Sequence, residues 1–152
     1  MRENYPDEFY RGISSPNDIT KEGYAMAGAF KFDEYDKDLR EDDGFCELSI
    51  NWNDEEEALK TLLEQHKPFK EEKQFKGGYC IIQKTLMDKV LKPYIDNNHF
   101  KYERRPIKQD ADADISENPY HGNLLMDHQL DKNARKNIQH SLATLAGSVI
   151  KR

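Results

Sequence analysis

The side chains best suited to chemistry are Arg11, Ser49, Asn51, Tyr120 and His121, and they are scattered along the chain. His121 lies in Glu117-Asn118-Pro119-Tyr120-His121-Gly122, behind a proline turn and ahead of a glycine. An imidazole titrates near neutrality, so His121 is the candidate catalytic acid–base; bonding its own loop is the plainer role. Arg11 stands in Tyr10-Arg11-Gly12. Its guanidinium is suited to a two-pronged grip on phosphate or carboxylate, and the glycine leaves room beside it. An ion pair with one of the many acids is the alternative. Ser49 and Asn51 alternate with apolar residues in 45–52, so they share the polar face of one strand, toward solvent or a pocket. If Arg11, Ser49, Asn51 and Tyr120 meet His121, they form a substrate-binding pocket around it.

Other chemistries find less support. None of His66, His99, His121, His128 and His140 has a histidine partner at i, i+4, and no cysteine pair accompanies them, so no metal is expected. Asp110, Asp112 and Asp114 alternate as in a calcium loop, but the glycine and distal glutamate are missing. In the acidic run 33–43, a calcium loop with Gly44 at its sixth position would begin on Leu39, which cannot be a ligand. Both stretches read as solvated loops. Ser49 has no glycine elbow. Cys46 and Cys80 sit in apolar runs and read as buried free thiols of a reducing compartment; a disulfide would need adjacent strands. Arg104-Arg105, near Lys101 and Lys108, is the one compact basic cluster, yet alternation sends the two arginines to opposite faces. With a net charge of −6, the chain has no general attraction for phosphate backbones, so nucleic acid is not an expected partner.

The positioning elements follow from periodicity. Strands are expected over 9–13, 29–32, 45–52, 79–83, 99–107 and 121–126. In 45–52, Cys46, Leu48, Ile50 and Trp52 fall on one face. The nearly unbroken apolar run 79–83 reads as the central strand, covered on both sides. Asn53, with Glu56 three residues on, reads as the capping box of a helix running to about His66 with Ala58, Leu59, Leu62 and Leu63 inward. A short helix over 85–92, ended by Pro93, turns Leu86 and Val90 inward with Met87 beside them. Asp131 caps a terminal helix whose stripe is Ala134, Ile138, Leu142, Leu145, Ala146, Val149 and Ile150. The sum is α+β: one domain over 1–152, with a mostly antiparallel curved sheet of about five or six short strands and two main helices packed on one of its faces. Charged residues make up 34 %, against a usual ~25 %, which points to a small core under a highly charged surface. The N-terminus has no apolar leader and no apolar run approaches ~18 residues, so a cytoplasmic protein without a membrane span is expected.

Two resemblances bear on function. Tyr10-Arg11-Gly12, Ala29-Phe30, Ser49-Ile50-Asn51 and Asn118-Pro119-Tyr120-His121-Gly122, followed by the terminal helix, look like a group of small bacterial proteins of no assigned function. That likeness covers most of the chain. Tyr10-Arg11-Gly12 is also similar to the first-strand arginine motif of ADP-ribosyltransferase-like folds, where the arginine contacts NAD. The Ser-Thr-Ser strand and the Glu-x-Glu of those folds are missing, and Glu103 or Glu117 would have to substitute. Two functional readings result. One is an acidic cytosolic accessory or binding module that works through a protein partner and needs no cofactor. The other is a small nucleotide- or NAD-handling enzyme built around Arg11, Ser49, Asn51 and His121.

Overall fold

The computed structural model describes residues 4–32, 44–70 and 72–151; the acidic run 33–43 lies outside them. The strands are β1 (Glu8–Ile13), β2 (Phe45–Trp52), β3 (Gly78–Gln83), β4 (Phe100–Arg104) and β5 (His121–Asp127). The α-helices are α1 (Glu57–Glu64), α2 (Lys84–Val90), α3 (Lys92–Asp96) and α4 (Lys132–Ala146). The strands form one open sheet in the order β3-β1-β2-β5-β4, with every pairing antiparallel, so the chain is α+β as its periodicities imply. Among the described residues no helix is long and apolar enough to cross a membrane.

Strand parity divides the apolar residues between two faces. On one face Phe9, Ile13, Leu48, Ile50, Trp52, Cys80, Ile82, Leu124 and Met126 build the main core, closed by Phe30, Met87, Leu91, Ile138 and Leu142. On the other, Tyr10 meets Ala58 and Leu62 of α1 and Phe75 in a smaller cluster. Helix α1 therefore packs across the sheet from α4, and the expectation that the helices share one face is corrected. The small cluster lies over β1, leaving the β2–β5 part of that face to the polar residues Glu47, Ser49, Asn51, His121 and Asn123, with Leu125 buried among them.

Several local expectations also change. Strand β3 is an edge strand, and β2 lies at the centre. The run 79–83 is apolar because Cys80 and Ile82 enter the main core while Tyr79 and Ile81 pack against the small cluster. In place of a strand at 29–32 there is a 3-10 helix, Ala27–Phe30, which drives Ala29 and Phe30 into the main core. Asn53 does not cap α1. Its backbone N–H donates to Glu8 O at 3.1 Å and its side chain to Glu8 Oε1 at 3.3 Å, so 53–56 is a turn tied to β1. Helix α2 is rotated from its expected phase: Met87 and Leu91 are fully buried, while Leu86 and Val90 are about half exposed (45 % and 49 %). Pro93 opens α3, where its missing N–H costs no hydrogen bond.

Asp131 does cap α4, its Oδ1 accepting Ala134 N at 2.8 Å. The helix ends at Gly147, which has a φ of 61°. Val149 and Ile150, expected to extend its stripe, lie instead in an extended tail. Ile150 pairs with Tyr79 on the outer side of β3 through N–H···O contacts of 2.7 and 2.9 Å. Cys46 and Cys80 are buried, and neither forms a disulfide. Strand β1 separates theirs, a spacing of about 9.5 Å, beyond disulfide reach.

Candidate functional site

Arg11 shares the parity of Phe9 and Ile13 and faces the main core. Its Nε donates to Ala29 O at 3.0 Å and its NH1 to Ser49 O at 2.9 Å. The guanidinium thus clamps the 3-10 helix to β2. Loss of water lowers its pKa to about 10, which leaves it charged at neutral pH. Opposite it in the sheet, burial pushes the Cys80 thiol up to about 12, which rules out a resting thiolate nucleophile.

Asn51 is buried in a hydrogen-bonded chain. Its Nδ2 donates to Ala58 O at 3.1 Å, and its Oδ1 accepts Asn118 Nδ2 at 2.8 Å. Asn118 Oδ1 accepts Tyr120 N at 3.1 Å, and Tyr120 O accepts Trp52 N at 2.8 Å. This chain fastens α1 and the Pro119 turn to β2. The Tyr120 hydroxyl donates to Glu55, and that bond is the main reason its pKa rises to about 12. The side chains of Arg11, Asn51 and Tyr120 are therefore engaged by the fold, and Arg11 projects from the face opposite His121. The four candidates Arg11, Ser49, Asn51 and His121 do not share one pocket.

Ser49 and His121 do meet. Asn51 lies opposite His121 and Ser49 opposite Asn123, so all four project from the same face. Ser49 and His121 line a cleft of about 160 Å³. Its walls come from the connector after α1, with Gln65, His66 and Gln74, and from the loop before β5, with Ile107 and Asp114. The two loops are clasped where Phe69 N donates to Asp114 Oδ2 at 2.6 Å. Both residues have left-handed backbones, with φ of 61° and 53°. Each such non-glycine residue costs about 1–2 kcal/mol, so strain is concentrated beside the cleft, as it often is at binding sites. His66 Nδ1 donates to Lys67 O at 2.9 Å and lies 3.9 Å from Asp114 Oδ2.

His121 is oriented by Arg105 O, 2.8 Å from its Nδ1. A carbonyl only accepts, so Nδ1 carries the proton and Nε2 presents a lone pair. Burial lowers the His121 pKa against the opposing effect of that hydrogen bond, so the ring is neutral at pH 7. Among the described residues Nε2 has no protein partner, and no Lys or Arg lines the cleft.

Next to Ser49 lies a residue that sequence reasoning missed. Asn123 is 1 % exposed, and among the described residues neither its Nδ2 nor its Oδ1 has a hydrogen-bond partner. A buried unpaired polar group costs on the order of 1–3 kcal/mol. Its cross-strand neighbours are Ser49 on β2 and Glu103 on β4. The Arg105 side chain, leaving the end of β4, reaches Glu103 at 3.8 Å and Glu47 on β2 at 3.7 Å. It thereby lies on the face that carries Asn123. The signal in the sequence was a polar residue inside the apolar run of β5, at the same parity as His121. His66 and Asp114 were hidden because only tertiary contact brings their loops together.

The basic cluster is also accounted for. Arg104 makes two bonds to Asp54, at 2.7 and 2.8 Å, and one to Asn4 O at 2.6 Å, while Arg105 faces two glutamates. In the loop 110–115, Asp110 Oδ1 accepts the N–H groups of Asp112 and Ala113, closing a turn on itself. No known protein family, curated protein or solved structure matches this chain.

Proposed function

We propose that the protein is a non-catalytic binding module and that the cleft floored by Ser49 and His121 receives one side chain of a protein partner. The observation that carries this reading is the cleft itself, small and without a cation. At about 160 Å³ it falls below the ~300–1,000 Å³ usual for small-molecule sites. A dinucleotide would not be enclosed, whereas a single side chain would. With neutral His121, two glutamines, Ser49 and Asp114 around it, the cleft favours a neutral or cationic group over an anion. The net charge of −6 further favours a partner with a basic surface.

The nucleotide- or NAD-handling reading draws less support. It needs Arg11 as the anion grip, and Arg11 donates to two carbonyls on the far side of the sheet. It also needs an activated group, and no hydrogen bond joins Ser49 to His121 among the described residues.

Site-directed photocrosslinking in cells tests the proposal. A photoreactive residue in place of Ile115, on the cleft rim, should capture a defined protein. The same residue in place of Leu86, exposed on α2, should not. Ser49→Trp, which fills the cleft, should abolish the adduct. Identical adducts from both positions, or none from position 115, would overturn the reading. So would saturable NAD binding by calorimetry that Arg11→Ala abolishes.

A further inference from the structure

We infer that the group read at this site is a carboxamide, that Asn123 reads it, and that the Arg105 side chain is the cover that must move to admit it. The inference rests on the binding reading above and specifies its chemistry. Asn123 projects from the same face as Ser49 and His121, directly opposite Ser49 and two residues along β5 from His121. It is 1 % exposed, and among the described residues both amide atoms lack a protein partner. Buried polar groups are nearly always paired, so one left with neither bond marks a place where something else completes it.

The chemistry of that completion is restrictive. A cation satisfies Oδ1 alone, and an anion satisfies Nδ2 alone. A hydroxyl can meet both only through one oxygen with bent bonds, whereas a second carboxamide satisfies both in one head-to-tail pair, its carbonyl accepting from Nδ2 and its N–H donating to Oδ1. A primary amide keeps one further N–H. The Nε2 lone pair of His121, fixed by the Nδ1 bond to Arg105 O, is an acceptor on the same face for that hydrogen. Among the described residues the cleft has no lysine or arginine that would prefer a carboxylate to its isosteric amide.

The cover is built to yield. Arg105 is 57 % exposed at its side chain, and its contacts to Glu47 and Glu103 are long, at 3.7 and 3.8 Å. Exposed ion pairs of that kind hold weakly. Arg104, bound in parallel to Asp54 at 2.7 and 2.8 Å, makes the tighter bridge, so the neighbouring arginine anchors the strand while Arg105 is the one able to swing. Displacing it opens the ground above β5 and joins Asn123 to the cleft beside Ser49.

The test is a titration of the full-length protein followed by its side-chain amide NMR signals. The probes are N-acetyl-glutamine methylamide, the matching glutamate and lysine derivatives, and propionamide. The glutamine derivative should shift the Asn123 NH2 signals saturably, and the glutamate and lysine derivatives should not. Arg105→Ala should tighten that binding roughly tenfold, as expected if the open form is about a tenth of the population. Asn123→Leu should leave the backbone spectrum folded and abolish the response. Weaker binding of propionamide assigns the site to a side chain of the partner. Equal binding assigns it to a free small amide. Both results sustain the inference. No saturable shift in either the native protein or Arg105→Ala overturns it, as does a response that survives Asn123→Leu. If Ser49 and His121 respond while Asn123 stays still, carboxamide reading fails and the binding cleft stands. If Asn123 responds but position 115 captures no partner, amide recognition stands and the partner reading fails.

Discussion

Arg11 and His121 have comparable chemical potential, and strand parity gives them opposite fates. Arg11 faces the main core and is held by two carbonyls, so its replacement should be a stability event. Arg11→Ala should cost about 2–3 kcal/mol, the usual worth of hydrogen bonds to a charged group, read as a lower urea midpoint with an unchanged slope. Asn51 behaves alike. Asn51→Ala and Asn118→Ala should each destabilise by about 2 kcal/mol, and a double-mutant cycle should show the two to be coupled. His121 keeps a free nitrogen and is held neutral by burial. In the unfolded chain it titrates near 6.5, and in the fold below that. Between those two pKa values the unfolded state binds more protons, so stability should fall as pH drops below about 6.5 and level off below the folded value. Urea midpoints across that window should show the decline, and His121→Asn should flatten it, because the amide can still donate to Arg105 O but does not titrate.

At the level of helices and strands, the sequence was most readable where periodicity and burial agree. Strand β2 appears where its pattern places it, and so does helix α4 from the Asp131 cap as far as Ala146, where Gly147 cuts the expected stripe short. Misreadings arose where a residue answers to a distant partner. Asn53 looks like a helix cap, but Glu8 takes it. The run 79–83 looks central, yet each of its faces meets a different cluster. Leu86 and Val90 look like an inward stripe, but the link to α3 lets Leu91 enter the core with Met87. Half of the candidate site was legible for the same reason: Ser49 and His121 follow from strand parity, whereas His66 and Asp114 depend on loops folding over the sheet. Gly122 shows how tightly elements are fitted. A Cβ there would lie 2.3 Å from Trp52 Nε1 and 2.4 Å from Glu103 O, across the bond that joins them at 3.1 Å. Gly122→Ala should therefore cost about 3 kcal/mol or more. Fluorescence of Trp52, the one tryptophan, should shift to the red as its packing loosens.

An open antiparallel sheet has two edges, and each must be kept from pairing with another chain. Strand β4 carries Lys101, Glu103 and Arg104 and is followed by Arg105 and Pro106, residues that discourage a neighbouring strand. Strand β3 has no such defence along Gly78-Tyr79-Cys80-Ile81-Ile82, and it is covered by the tail beyond α4. Tyr79 and Ile150 exchange two hydrogen bonds, Val149 N donates to Gly23 O at 2.8 Å, and Gly147 O accepts Ala25 N at 2.8 Å. Gly78 permits the approach, because a Cβ there would stand 2.1 Å from Ile150 O and its φ of +113° disfavours any side chain. Gly78→Ala should expel the tail. The amides of Tyr79 and Ile150 should then exchange with solvent at least ~10-fold faster, the ratio that about 1.4 kcal/mol of lost protection produces. The bared edge should associate, giving a concentration-dependent dimer in sedimentation. Gly23→Ala separates strain from contact. Gly23 also has a left-handed φ, +91°, but open space where a Cβ would go. It should lose only about 1–2 kcal/mol and remain monomeric. Self-association of both variants alike would mean that general destabilisation, rather than the uncovered edge of β3, drives it.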